Sequence, residues 1–274
     1  MKEEERKNQR FTKITLDSIE GIENGKIPKE ITNIKEKCFE KSKYTRIEMN
    51  TRITMIGESL FKQSVELKEI KMSPYLKNIL KRTFYECMKL KTIEIPNEIM
   101  NIGSESFYKC VELEEIIIPE WITTLETSTF SQCKKLRRIQ LPRELKRIED
   151  SCFLECNNLE EIILPTTLTH LGSFVFQQCN KLQKIEIPKK ITMIKDNTFS
   201  HCKEMEEIKL PTNLIYISNN SFSYCYKLKH LNLPTTLTYI HENAFLSCSN
   251  ELLQELNDFK NKTMNKKDEK CCIN

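Results

Sequence analysis

A phenylalanine recurs every 23 residues over most of this chain: Phe61, Phe84, Phe107, Phe130, Phe153, Phe176, Phe199, Phe222 and Phe245. Phe39 heads the series, one residue out of register. A cysteine stands three positions after the phenylalanine from Cys87 to Cys248, and a proline twelve positions after it from Pro96 to Pro234. A fixed period of this length means one small supersecondary unit stacked on copies of itself. Such a chain builds faces rather than a pocket, so function is sought on its outward positions.

One cycle shows the unit. In Leu90 to Pro96 the apolar residues Ile93 and Ile95 alternate with Glu94, the period of a short strand with the isoleucines inward. Proline cannot donate to a sheet ladder and ends it. Ile99 and Ile102 then line the interior of a turn or a second short extended segment. Phe107, Cys110 and Leu113 follow at the same spacing of three. The stretch from Ser104 to Cys110 reads as a single helical or 3₁₀ turn. No rung can bury its apolar side alone, and stacking at about 4.8 Å per parallel strand does so.

The pattern Leu-x-x-Ile-x-Ile-Pro-x-x-Ile-x-x-Ile-x-x-x-x-Phe-x-x-Cys resembles the BspA-type leucine-rich repeat, over residues 27–249. The departures are small: Ser42 and Ser64 take the cysteine place in early rungs, Pro74 is displaced, and glycine after the second turn isoleucine survives only at Gly57, Gly103 and Gly172. The resemblance implies an α/β repeat solenoid. It is curved, with a parallel β-sheet on the concave face and short strands or 3₁₀/helical turns on the convex face. It also implies adhesion or ligand binding, usually at cell surfaces.

The ends read as caps. Residues 1–26 form a charged N-terminal segment and cap, in which Phe11, Ile14, Leu16, Ile19 and Ile22 precede the turn Asn24-Gly25. Residues 250–263 switch to helical period, with Leu252, Leu253, Leu256 and Phe259 on one face and Asn250 placed to cap. Residues 264–274 read as a flexible polar tail.

Several functional classes are disfavoured. Net charge is only +4, from 43 basic and 39 acidic residues, with no basic stripe, so no nucleic-acid partner is expected. Twelve cysteines would suggest disulfides in a small secreted protein. Eight of them keep repeat phase, where a free cysteine serves as a small hydrophobe. The linear ladder offers no tetrahedral set, so no metal is expected. The four histidines fall at unrelated phases and five glycines leave no phosphate cradle, so no catalytic residues, cofactor or enzymatic activity is expected.

Outward strand positions carry the candidate site. Glu94, Glu115, Ile117, Arg137, Arg138, Gln140, Glu161, Ile163 and Glu186 form a mixed-charge concave stripe with two exposed isoleucines at its centre. A single surface isoleucine needs no explanation. Two on alternate rungs of a binding face point to a protein ligand, whose identity the residues do not give. Trp121, the only tryptophan, takes a place held by Glu98, Glu144 and Thr167 in other rungs and is a further contact candidate. A monomer is expected.

The last four residues, Cys271-Cys272-Ile273-Asn274, match the C-a-a-X lipidation form, with Cys271 as acceptor, although Asn274 is outside the usual terminal residues. Residues 1–10 hold no apolar run of a secretory signal. The expectation is a cytoplasmic interaction module tethered by a lipid to the inner face of the plasma membrane, reaching the surface only by an unconventional route. The alternative is a soluble cytosolic scaffold without a lipid anchor.

Overall fold

The computed structural model describes residues 13–271, with side chains described through Asn261. The expected contribution of Phe11 to the N-terminal cap and positions 272–274 of the lipidation form lie outside the described residues. The chain is a curved series of stacked rungs with a parallel front face, a parallel side face and little helix.

Front strands are three residues long, as in Glu115–Ile117, which pairs with Arg138–Gln140 in a register of 23 (Glu115 opposite Arg138, Ile117 opposite Gln140). The strands Arg46–Glu48 and Glu69–Lys71, and Lys184–Glu186 and Glu207–Lys209, pair in the same way. Single bridges, such as Thr92 to Glu115 and Glu161 to Lys184, join the intervening rungs. The extended segment after proline is a second strand of two residues, for example Arg147–Ile148 between Thr124–Leu125 and His170–Leu171. Each front strand buries its middle isoleucine and turns both neighbours outward, fully exposed in all but Arg46–Glu48, where Glu48 is half-buried, as the alternating sequence requires.

The stretch Ser104 to Cys110 is not helical. It makes two successive turns, and its amides divide between two tasks. Ser106, Tyr108 and Cys110 donate within the rung to Gly103, Glu105 and Phe107, while Glu105, Phe107 and Lys109 donate to Thr127, Thr129 and Ser131 of the next rung. A helix would turn every amide inward and leave none to hold the neighbouring rung. The division requires left-handed backbone two residues before and two after each repeat phenylalanine from Phe39 to Phe222, as at Glu105 (φ 56°) and Lys109 (φ 56°), or Phe174 (φ 60°) and Gln178 (φ 61°). Left-handed conformation costs an L-residue roughly 1–2 kcal/mol. The cross-rung hydrogen bonds offset it.

Inside, the phenylalanines stack with ring centroids 5.0–5.7 Å apart. Beside them each in-register thiol donates to the carbonyl of the preceding rung's phenylalanine, as Cys110 Sγ to Phe84 O at 3.2 Å. Ser64 Oγ makes the same bond to Phe39 O at 2.6 Å, so serine fits the cysteine place. Burial pushes these thiols well above the usual cysteine range, and Cys248, nearer the end, up to about 11. They are packing groups.

The C-terminal helix Asn250–Cys271 covers the last rung with Leu252 and Leu256 buried. Its cap is Ser249 rather than Asn250: Ser249 Oγ accepts from the Leu252 amide at 3.2 Å and donates to Leu228 O at 2.9 Å. The serine thus caps the helix and ties it to the rung beneath. At the other end, Gly25 turns with φ 77° at Gly21 behind it and φ 71° of its own; a Cβ there would lie 2.1 Å from Arg46 O.

Candidate functional site

The front face places every expected outward residue at the surface. Glu94, Glu115, Ile117, Arg137, Arg138, Gln140, Glu161, Ile163 and Glu186 are all exposed, Ile117 at 65 % and Ile163 at 76 %. Their alternation with buried isoleucines is the direct consequence of two-residue strand periodicity. Ile117, Gln140 and Ile163 lie in one column along the stack, with Glu115, Arg138 and Glu161 in the column across the buried isoleucines.

Charges on this face are treated differently at its ends and its centre. Near the N-terminal end Lys71 reaches Glu48 at 3.0 Å and Arg46 reaches Glu69 at 3.8 Å across rungs. Toward the C-terminal end Lys184 pairs with Glu207 at 3.5 Å and Lys209 with Glu186 at 3.7 Å. In the centre Lys91 reaches Glu114 at 3.4 Å, whereas the side chains of Glu115, Arg137, Arg138, Glu160 and Glu161 make no ion pair among the described residues. Two open grooves occupy this central stretch. One of about 550 Å³ runs between Ile117 and Ile163 past Arg138 and Gln140, and one of about 820 Å³ runs from Ile163 to Glu186 and Lys209.

Trp121 lies past the proline edge of the front face and is 67 % exposed. Tyr75, which attracts no notice as a lone residue, sits two periods before it in the same column and is 59 % exposed. The 23-residue period is the signal that reaches it. Cys271 closes the helix, and the rest of the lipidation form lies outside the described residues. Among the described residues no group of His, Cys, Asp and Glu converges to hold a metal, and no helix is long and apolar enough to cross a membrane.

Parallel front strands, 23-residue rungs and a buried phenylalanine column define a leucine-rich-repeat solenoid, an architecture of non-catalytic protein-interaction modules. The chain belongs to the BspA type leucine rich repeat family, whose model matches residues 15–137 and 123–251. Among curated proteins none matches the sequence. Among solved structures, a leucine rich cell surface protein from Faecalibacterium prausnitzii shares the fold, with a TM-score of 0.63 and 23 % identity over 88 % of this chain and 83 % of that one. A leucine-rich repeat protein from Bacteroides ovatus is 26 % identical over 82 % of this chain and 84 % of that one, with a TM-score of 0.48.

The Faecalibacterium structure corrects one expectation. The cytoplasmic placement, with its anchor at the inner face of the plasma membrane, is overturned: a solved protein that shares this fold along most of both chains is a cell surface protein. The charge of residues 1–10, on which that placement rested, describes only the composition of those residues.

Proposed function

We propose that this module holds its protein ligand on the central rungs of the concave face, around Ile117, Arg138, Gln140 and Ile163. The observation that supports this reading is the contrast along one face. The ends close cross-rung pairs such as Glu48 with Lys71 and Glu186 with Lys209, whereas the centre exposes two isoleucines beside Glu115, Arg138 and Glu161, which make no ion pair among the described residues. Exposed apolar anchors ringed by charge supply contact area, and the surrounding charges select the partner. Glu94 and Glu186 border the patch, and Glu115, Arg137 and Glu161 lie within it.

A photo-crosslinking residue at Gln140, compared with one at the end position Asn232, tests the reading in the protein's own cells. Discrete adducts from position 140, lost when Ile117 and Ile163 are both changed to serine in a chain that still folds, are expected. Equal labelling from both positions removes the central site. The reading needs no lipid at Cys271. An unmodified C terminus by intact mass, with aqueous partitioning unchanged by Cys271→Ser, is the expected outcome.

A further inference from the structure

A second surface lies just past the proline edge of the front face. Reading one column at 23-residue steps gives Tyr75, Glu98, Trp121 and Glu144, all exposed and on four consecutive rungs. Aromatic and acid therefore alternate at steps of about 4.8 Å. The register is fixed by the strands alongside, where Asn78–Ile79 pairs with Asn101–Ile102 and Thr124–Leu125 with Arg147–Ile148, each one period apart.

The rings of Tyr75 and Trp121 are thus based roughly 10 Å apart with the Glu98 carboxylate between them. A ring face attracts a cation within about 6 Å of its centroid, and a flat guanidinium held at the Glu98 carboxylate can turn its plane toward a neighbouring ring. The molecule already shows what Glu98 takes. Lys77, from the neighbouring column, donates its ammonium to Glu98 at 2.5 Å across the rung, although both side chains are about half exposed. Glu144, on the far side of Trp121, has no cation of its own among the described residues. Among the described residues the cations that lie over rings are Arg82 over Tyr85 and Lys109 over Tyr108, so the Lys77 ammonium meets the Glu98 carboxylate without covering Tyr75 or Trp121 and leaves both rings open.

We propose that this column is a docking strip for an arginine-bearing segment of a protein partner, with one cation seat at Glu98 between Tyr75 and Trp121 and a second at Glu144 against the other side of Trp121. The two seats are two rungs apart, about 9.6 Å. Residues three apart in a polyproline II segment project to the same side about 9.3 Å apart. The spacing therefore selects Arg-x-x-Arg in that conformation. Arginine is preferred over lysine because its flat guanidinium stacks on a ring while its fork meets the carboxylate. Lys77 acts as an internal competitor for the first seat. The strip is a surface separate from the concave centre and stands whether or not that centre binds.

Trp121 is the only tryptophan in the chain, so its emission reports on this surface alone. The probe is a capped Pro-Arg-Pro-Pro-Arg-Pro peptide titrated into the intact protein at low salt. A saturable change in emission is expected. Tyr75→Ala should weaken binding roughly threefold, and Glu98→Gln together with Glu144→Gln about tenfold or more. Lys77→Met should tighten it by freeing the first seat. Replacing both arginines by citrulline should abolish the change, and moving them to adjacent-but-one positions should weaken it roughly threefold or more, since one cation then misses its seat. No saturation at millimolar peptide, or equal binding of the two arginine spacings, overturns the proposal. So does binding that survives the Glu98 and Glu144 changes but is lost with Ile117→Ser and Ile163→Ser, which would move the peptide to the concave centre.

Discussion

The two ends of the concave face and its middle are built from the same rung, yet they handle charge in opposite ways. At the ends, Glu48 with Lys71 and Glu186 with Lys209 close ladders between adjacent rungs. In the middle, Glu115, Arg138 and Glu161 stand in one column on successive rungs without closing, and isoleucine replaces charge at 117 and 163. Surface pairs of the first kind contribute little to stability. Their effect is to leave nothing for another molecule to satisfy. The middle keeps its polar and apolar groups available, and that difference, rather than any change in fold, marks out the surface for contact.

If the scaffold beneath is uniform, the largest effect should be blind to the comparison. Phe130→Ala under the centre and Phe61→Ala toward the end should each cost about 3–5 kcal/mol, because both leave a large buried hole in the same stack. Chemical denaturation measures it. A much smaller cost at Phe130 would mean that the central rungs are loosely packed and that the open charges reflect this rather than a contact site.

A smaller effect of opposite sign comes from the left-handed positions. Ser151 (φ 58°) sits beneath the central rungs, and glycine there should stabilise the fold by about 1 kcal/mol. For a chain of this size the midpoint should rise by about 2–4 °C. A fall in the midpoint would show that the serine side chain, and not the backbone, matters at that place.

The subtlest test sharpens the ends. The hydrogen bond and charge of Lys71 hold the Glu48 carboxyl below its ordinary value. A depressed folded-state pKa contributes stability that is present above the unfolded value and is lost as pH falls through the folded one. An NMR titration should therefore place Glu48 below a free glutamate, and Lys71→Met should bring it back. An unchanged titration in that variant would remove the ladder as the explanation of the closed ends.

Much of this was legible in the chain itself. Two-residue alternation assigns Ile93 inward and Glu94 outward, spacing of three buries Ile99 with Ile102 and Phe107 with Cys110, and the register of 23 holds in the paired strands beyond the first rungs, where Thr15 pairs with Asn33 and Asn33 with Met55. Trp121 and the concave stripe were readable as outward positions for the same reason. The double turn was not. Left-handed residues usually announce themselves as glycine or asparagine, yet here the places hold residues such as Arg82, Glu105, Phe174 and Tyr224. Nothing local favours that backbone; the next rung's carbonyls do. The cap fell on Ser249 because Leu228 O lies beneath it, a contact 21 residues distant.

Periodicity is a local property, and it was enough to determine that the chain stacks, which side chains face inward, and that cysteine serves the core. Which outward charges close on each other, which stay open, and that Tyr75 and Trp121 flank one glutamate were decided only in the folded stack. Those relations join residues one or two whole periods apart, and only the packed neighbour rung supplies the hydrogen bonds and distances that select among them.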